Sequence, residues 1–240
     1  KDYNGGATKD MVESYLCTDG LPISLSPLYQ GDAVYENVLV NRDPRLRQTV
    51  LHPDDQAIYR YGNHDFGVTR YPRIQGMTGP GHKIATGYHI IKVYVNGPAY
   101  ATYNTSTTPA IILRYGEVLL NYAEAKAELG TITQGDLDLS INLLRDRVAM
   151  PAMTMAVPMD PVFANDGVSA LIAEIRRERR VELFMEGFRY DDLRRWKQGK
   201  KLEQKDYGIR WDAANKARFD PKGEVTIKVS QVNGIDYLDI

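Results

Sequence analysis

The sequence has little cysteine and no long apolar run. Among its 240 residues Cys17 stands alone, so no internal disulfide can form, and neither a thiolate metal site nor a redox pair is available. No stretch reaches the ~18 apolar residues that a transmembrane helix needs. The N-terminal segment KDYNGGATKD lacks the apolar core of a signal peptide and an initiator Met, which indicates that the chain starts at a cut.

An excess of charge of one sign is also missing. Lys and Arg together number 30 against 31 for Asp and Glu, which gives a net charge of -1. This balance does not favour nucleic acid or an anionic membrane surface as a partner. The sequence contains no P-loop and no G-x-S-x-G motif, and its histidines lack an H-x₃-H pairing. We therefore predict no catalytic residue, no metal site and no cofactor.

The first part of the chain, up to about residue 108, is rich in turns. The segments TDGLPISLSP, NRDPRL, GMTGPGHK and VNGPAY place Gly, Pro, Asn or Asp where chain reversals need them. A short helix in ATKDMVES and a strand over Gly87 to Val95 are the regular elements predicted there. With 43% hydrophobic residues the whole chain can nevertheless bury a sizeable core.

A helical pattern begins at Arg114. The segment RYGEVLLNYAEAKAELG places apolar and small residues over most of the helix surface, which predicts burial on more than one side. Its polar residues share one narrow strip: Glu117, Asn121, Glu124 and Glu128. Gly130 is placed to end the helix in a left-handed cap.

A second helix is predicted over Leu137 to Val148, with one apolar face. The two helices look like one hairpin of a tetratricopeptide-type array, since small alanines allow close approach and a short Gly-containing turn joins them. Such a unit needs about three neighbours to bury its faces. Further helices are predicted over Ser169 to Glu186 and Tyr190 to Gln198, with a break at Gly187, and a strand over Val225 to Val229.

The segment Glu178 to Trp196 carries five arginines and five carboxylates in nineteen residues. On a helical projection, the apolar face that begins at Leu171 and Ile175 continues through Glu178 and Glu182, so ionised groups lie on an inward face. An isolated buried charge costs several kcal/mol, so these charges must be paired. We predict a structural ion-pair network that consists of Glu178, Arg179, Glu182, Glu186, Arg189, Asp192 and Arg195.

The nearest counter-charges for the three glutamates are Arg179, Arg189, Arg194 and Arg195, which the break at Gly187 would bring round. Two alternatives stay open: a solvated helical face, and a pair of carboxylates of the kind that glycoside hydrolysis uses. Surrounding guanidinium groups argue against the second alternative, because they lower carboxylate pKa values and remove the acid that a glycosidase needs.

Several segments carry a family resemblance. ILRYGEVLLNYAEAKAELG, INLLRDRVAMP and IRRERRVELFMEGFRYDDLRRWKQGK strongly resemble the C-terminal half of the SusD/RagB family of outer-membrane nutrient-binding lipoproteins. Two segments nearer the N-terminus resemble the same family in the right order, LCTDGLPI and NRDPRLRQTVL. The resemblance therefore covers nearly the whole chain. The stretch ERRVELFMEGFRYDDLRRW is specific to that family.

The resemblance implies a mostly α-helical fold, in which a tetratricopeptide-like helical hairpin and further helices pack with long irregular loops and a minor β element. The chain would be the C-terminal part of a SusD/RagB-like domain. Its segments would be a loop-rich candidate ligand surface over 1–108, the hairpin over 109–150, the signature helices over 168–200 and an irregular tail over 201–240. The acylated cysteine and most helical repeats of the family are missing, which fits a truncated chain.

The resemblance also implies a function. Family members are cell-surface lipoproteins of the outer membrane that bind oligosaccharides and cap a SusC-like TonB-dependent transporter as a hinged lid. They are not enzymes, and their contact with the membrane is through a lipid anchor absent from this sequence. Peptide capture for import by the same kind of complex is the alternative.

A candidate ligand-binding loop lies in IYRYGNHDFGVTRYPR. Sugar sites pair aromatic rings, which contact C–H faces, with polar groups that bind hydroxyls. The loop supplies both, and the candidate binding residues are Tyr59, Tyr61, Asn63, Asp65, Phe66, Arg70 and Tyr71. The alternative is that these tyrosines cover the helical core beneath. The family resemblance does not assign individual binding residues to these positions.

Overall fold

The computed structural model describes residues 6–55, 60–61, 64–65, 70–78, 83–94, 107 and 109–240. These residues form a mostly helical structure with small antiparallel sheets, as the sequence predicts. The helices are α1 (Lys9–Glu13), α2 (Tyr35–Leu39), α3 (Pro44–Thr49), α4 (Tyr115–Glu128), α5 (Gln134–Asp138), α6 (Ile141–Asp146), α7 (Ala170–Glu182), α8 (Arg189–Arg195) and α9 (Ala213–Phe219). The strands are β1 (Gly6–Ala7), β2 (Arg60–Tyr61), β3 (His64–Asp65), β4 (Tyr88–His89), β5 (Tyr207–Arg210), β6 (Val229–Val232) and β7 (Ile235–Asp239). Within this part of the chain, a helix of the length and hydropathy needed to cross a membrane is not found.

The helical hairpin consists of α4 and the two short helices after it. The α4 helix ends where the sequence predicts, because Gly130 adopts a left-handed φ of 66°. The prediction of one continuous second helix over residues 137–148 is wrong. The segment is divided into α5 and α6 at Ser140, whose φ of -133° and ψ of -90° are not helical. A capping box between Thr133 and Asp136 begins α5.

The predicted burial of α4 on more than one side is also wrong for the described residues. Leu120 is fully buried, but Val118, Tyr122 and Leu129 are exposed. Glu124, which was assigned to the polar strip, is only 4% exposed. This carboxylate can be buried because it pairs with the guanidinium of Arg195. The helical pattern of α4 alone does not reveal that partner.

The helix α7 lies between two hydrophobic cores. The first core is formed by α4 to α7 and includes Leu120, Leu137, Ile141 and Ile175. The second is formed by the N-terminal segment and the C-terminal tail, and includes Val12, Tyr15, Tyr35, Leu46, Val181 and Phe219. Because Ile175 and Val181 of the same helix belong to different cores, much of the α7 surface is buried, including its charged residues.

The turn-rich first part contains more helix than the sequence predicts. The short helix expected in ATKDMVES is confirmed as α1, and α2 and α3 are additional. The strand predicted over residues 87–95 is limited to β4, which pairs with β1 in antiparallel register. The chain turns away soon afterwards, since Val93 adopts a positive φ of 65° that a strand cannot contain.

The C-terminal tail is more regular than expected. It forms a three-stranded antiparallel sheet in the order β5-β7-β6. The strand predicted over residues 225–229 is wrong in its position, because the hairpin of β6 and β7 is set by its turn. Asn233 and Gly234 adopt φ values of 52° and 78°, which the two-residue turns of hairpins need.

Candidate functional site

The predicted ligand-binding loop is only partly described. Tyr59, Asn63 and Phe66 lie outside the described residues, so their roles stay predictions. For Tyr61 and Asp65 the structure gives the backbone, which belongs to the hairpin of β2 and β3. In the described part of this loop, residues 60–61 and 64–65 therefore form a short antiparallel strand pair.

Tyr71 and Arg70, at the end of the loop, are described in full. The Tyr71 ring is half-buried and its centroid lies 4.9 Å from that of Phe219. Its hydroxyl donates to Glu36 at 2.5 Å, and burial together with that carboxylate raises the pKa of Tyr71. Arg70 is exposed, with its guanidinium 3.3 Å from Asp54. Tyr71 therefore packs on the core, whereas Arg70 faces solvent.

Glu178 is the most enclosed carboxylate of α7. It is 2% exposed, and it accepts hydrogen bonds from Arg45 at 2.5 Å and from Arg145 at 2.9 Å. Arg45 is held in place by Asp43, which caps α3 and lies 2.6 Å from the guanidinium. Burial opposes ionisation of Glu178, but the two arginines outweigh it, so its pKa is lowered.

Glu182, one turn later, binds three arginines. It accepts from Arg114 at 2.5 Å, and from Arg45 and Arg147 at 2.9 Å each. Arg114 also donates to Glu186 at 2.7 Å. Burial disfavours the charged form of Glu182, but these hydrogen bonds outweigh it and bring its pKa to about 2.

Together with their neighbours these residues form what we call the ionic network. Its cations are Arg45, Lys92, Arg114, Arg145, Arg147 and Arg177, and its carboxylates are Asp43, Asp160, Glu174, Glu178, Glu182 and Glu186. Six positive and six negative groups give no net charge. The network is therefore neutral as a whole, which is the condition under which charges can be buried.

The prediction of which arginines pair with Glu178, Glu182 and Glu186 is wrong. Their partners come from distant segments, whereas Arg179 pairs with Asp192 at 2.8 Å and joins α7 to α8. Arg195 binds the same aspartate at 2.8 Å and also binds Glu124 of α4. Arg194 is exposed and lies near a neighbouring aspartate on its own helix. The predicted set is thus divided between the ionic network and a second cluster formed by Arg179, Asp192, Arg195 and Glu124.

Arg189 belongs to neither group. Within the described part of the chain it forms no ion pair and no hydrogen bond, and its guanidinium lies 5.9 Å from the ring centroid of Trp196. Burial and the nearby Arg180 lower its pKa to about 10, so it is still charged at neutral pH.

Three carboxylates at the C-terminal end of α7 and in the turn after it are poorly suited to acid catalysis. Glu178, Glu182 and Glu186 all have lowered pKa values, because arginine or lysine partners outweigh their burial. A glycosidase needs one carboxylic acid that stays protonated near neutral pH. The geometry favours a structural role for these residues.

Two cavities border α7 near its C-terminal end. The ionic cleft, of about 410 Å³, is lined by the charged residues Arg45, Lys92, Arg114, Arg147, Glu182 and Glu186 among others. The Gly187 pocket, of about 540 Å³, has mainly apolar walls that include Met11, Ile90, Leu183, Phe184, Phe188 and Tyr190, with Arg179, Arg180, Arg189 and Asp192 also lining it. In the described residues there is no group of His, Cys, Asp or Glu side chains that could hold a metal ion.

Comparisons with known proteins identify the family. The SusD family model matches residues 3–233. A SusD-like carbohydrate-binding protein of Bacteroides fragilis has 28% sequence identity and a TM-score of 0.65, with 97% of this chain and 42% of that one covered. A second SusD-like protein of that organism has 27% identity and a TM-score of 0.62, with coverage of 97% and 40%. No curated protein matches the chain.

The chain spans about two-fifths of the length of these two solved proteins. The family model, by contrast, extends over nearly all of this sequence, from the turn-rich first part to the end of β6. The chain belongs to the SusD family.

Proposed function

We propose that this chain is part of a non-enzymatic protein that binds glycans at the cell surface. The observation that carries the proposal is the 28% identity to a solved protein described as SusD-like and carbohydrate binding. The lowered pKa values of Glu178, Glu182 and Glu186 support binding without catalysis. The protein would deliver oligosaccharides to a SusC-like TonB-dependent transporter in the outer membrane, which it would cover as a lid.

An array of oligosaccharides and oligopeptides tests this proposal against peptide capture. We expect the full-length protein to bind one class of oligosaccharide and no peptide. Binding to peptides alone would contradict glycan capture and favour the alternative. Release of reducing ends during prolonged incubation with a bound oligosaccharide would contradict the absence of catalysis.

The loop from Ala57 to Arg73 is our candidate for the ligand-facing surface. If this loop faces the ligand, replacing Tyr59, Tyr61 or Phe66 by Ala should weaken glycan binding and leave the melting temperature nearly unchanged, since a ring that contacts ligand rather than the core adds little to stability. Calorimetric titration and thermal unfolding measure the two effects.

Tyr71 supplies the matched control for that loop. Because its ring packs on Phe219 and its hydroxyl binds Glu36, Tyr71→Ala should lower the melting temperature. If the other three substitutions also unfold the protein and leave its affinity for sugar unchanged, the loop is structural and the ligand binds elsewhere.

A further inference from the structure

Most of the cations around α7 and α8 are paired with carboxylates. The ionic network is neutral, and in the second cluster two arginines face two carboxylates. Arg180 binds Asp10. Arg189 has no described carboxylate partner, and unlike the exposed Lys197 its side chain is half-buried rather than fully solvated. A half-buried guanidinium without an acceptor is a favourable place for an anion.

The three carboxylates that act electrostatically on Arg189 are already engaged. Asp10 is bound by Arg180, Asp192 is held by two arginines, and Asp166 lies 2.6 Å from Lys201. Turning any of them towards Arg189 would leave another cation unpaired. The chain itself therefore does not supply the missing acceptor from these neighbours.

Arg189 borders the Gly187 pocket, whose size suits a small ligand. Its volume of about 540 Å³ falls within the range of roughly 300–1,000 Å³ that is usual for such sites. Gly187 has a φ of 89°, and nothing lies within 4 Å of the position that a Cβ would occupy. The turn between α7 and α8 therefore lies at the open entrance of the pocket. Tyr190, on the same rim, is 58% exposed.

The walls of the pocket complement a ring rather than a bare ion. Tyr190, which is exposed and has the Arg194 guanidinium 5.6 Å from its ring centroid, and the partly buried Phe184 offer aromatic surface of the kind that packs on the C–H face of a sugar. A planar guanidinium binds a carboxylate through two parallel hydrogen bonds, which adds both energy and orientation. A ligand that uses both features carries a carboxylate on a sugar ring.

We propose that the Gly187 pocket binds a uronic acid unit, with its carboxylate on Arg189 and its ring against Tyr190 and Phe184. This inference rests on the proposed glycan-binding function and names the substrate class for a second site, separate from the loop of residues 57–73. The acidic sugar can be the end or a branch of a longer oligosaccharide.

Titration calorimetry with digalacturonate and its dimethyl ester tests the inference, because the ester keeps both rings and removes both charges. We expect the acid to bind at least about tenfold more tightly than the ester. Arg189→Gln should remove that preference, whereas Lys197→Gln, which changes an exposed cation just after the same helix and outside the pocket lining, should keep it. Circular dichroism checks that both variants retain their helices.

A second variant covers the case in which Arg189→Gln does not fold. Tyr190→Ala removes an exposed ring and should weaken binding of the acid without lowering the melting temperature. Equal binding of acid and ester would overturn the inference, even where neutral oligosaccharides bind and the proposed function stands. An acidic peptide that binds through Arg189 when no sugar binds would instead overturn the proposed function and, with it, the assignment to a uronic acid.

Discussion

The two cavities beside α7 have similar volumes but differ in the state of their charges. The ionic cleft is lined by cations and carboxylates that are already paired within a neutral network. A charged ligand could enter it only by breaking internal ion pairs, which is costly for buried groups. The Gly187 pocket has apolar walls and an arginine that no described carboxylate pairs with. The paired charges of the ionic cleft therefore belong to the fold, whereas the unpaired charge of the Gly187 pocket, beside apolar surface, favours a ligand.

Removing Glu182 should break the charge balance of the ionic cleft. In Glu182→Ala the network has one surplus cation, and Arg45 and Arg114 each lose an acceptor. We expect the free energy of unfolding to fall by about 3–5 kcal/mol. Chemical denaturation followed by circular dichroism measures the change, with the exposed Glu203→Ala as the control at under about 0.5 kcal/mol. A loss below about 0.5 kcal/mol for Glu182→Ala would mean that this site behaves as a solvated surface pair.

Acid should weaken the same network. The folded-state pKa of Glu182 is about 2 against an ordinary value of 4.5, so its contribution is complete above about pH 4.5 and is lost as the pH falls towards 2. For this one group the loss amounts to about 3 kcal/mol. Denaturation at about pH 7 and about pH 3 should show a smaller decline for Glu182→Gln than for the unmodified protein. Equal declines would assign the acid sensitivity to other carboxylates.

A change at the mouth of the Gly187 pocket should have the smallest effect. Gly187→Ala places a Cβ in open space at a φ of 89°, so its cost is the backbone strain of about 1–2 kcal/mol. Gly199→Ala is the matched control, because that glycine also has nothing within 4 Å of the added Cβ and its φ is not in the left-handed region. Equal stability of the two variants would show that the turn between α7 and α8 relaxes.

The sequence predicts those features that depend on neighbours along the chain. The end of α4 follows from Gly130, and the inward position of Glu178 and Glu182 follows from the apolar face that precedes them. Their partners could not be predicted in the same way. Arg45 lies in a segment read only as a turn, and nothing local indicates that a residue 133 positions earlier than Glu178 binds it.

The candidate sites show the same limit. An aromatic ring in a turn-rich loop can contact either a ligand or the core, and Tyr71 packs on the core because of Phe219, which lies far away in the tail. The Gly187 pocket is not apparent from the sequence, because residues 6–11 and Ile90 complete the walls that residues 179–192 begin. The hairpin of β6 and β7 does have a local signal, because the pair Asn233 and Gly234 is typical of a two-residue hairpin turn.

The position of Arg45 has a consequence for how the chain folds. Its hydrogen bonds with Glu178 and Glu182 span 133 and 137 residues, so the α3 segment meets its partners only through a very long loop closure. Contacts of such high sequence separation slow folding relative to a helical bundle with local contacts. During synthesis the N-terminal segment leaves the ribosome well before α7 exists. Arg45 must therefore remain hydrated until more than half of the chain has been synthesised. The core that contains Leu46 and Val181 must stay incomplete for the same time.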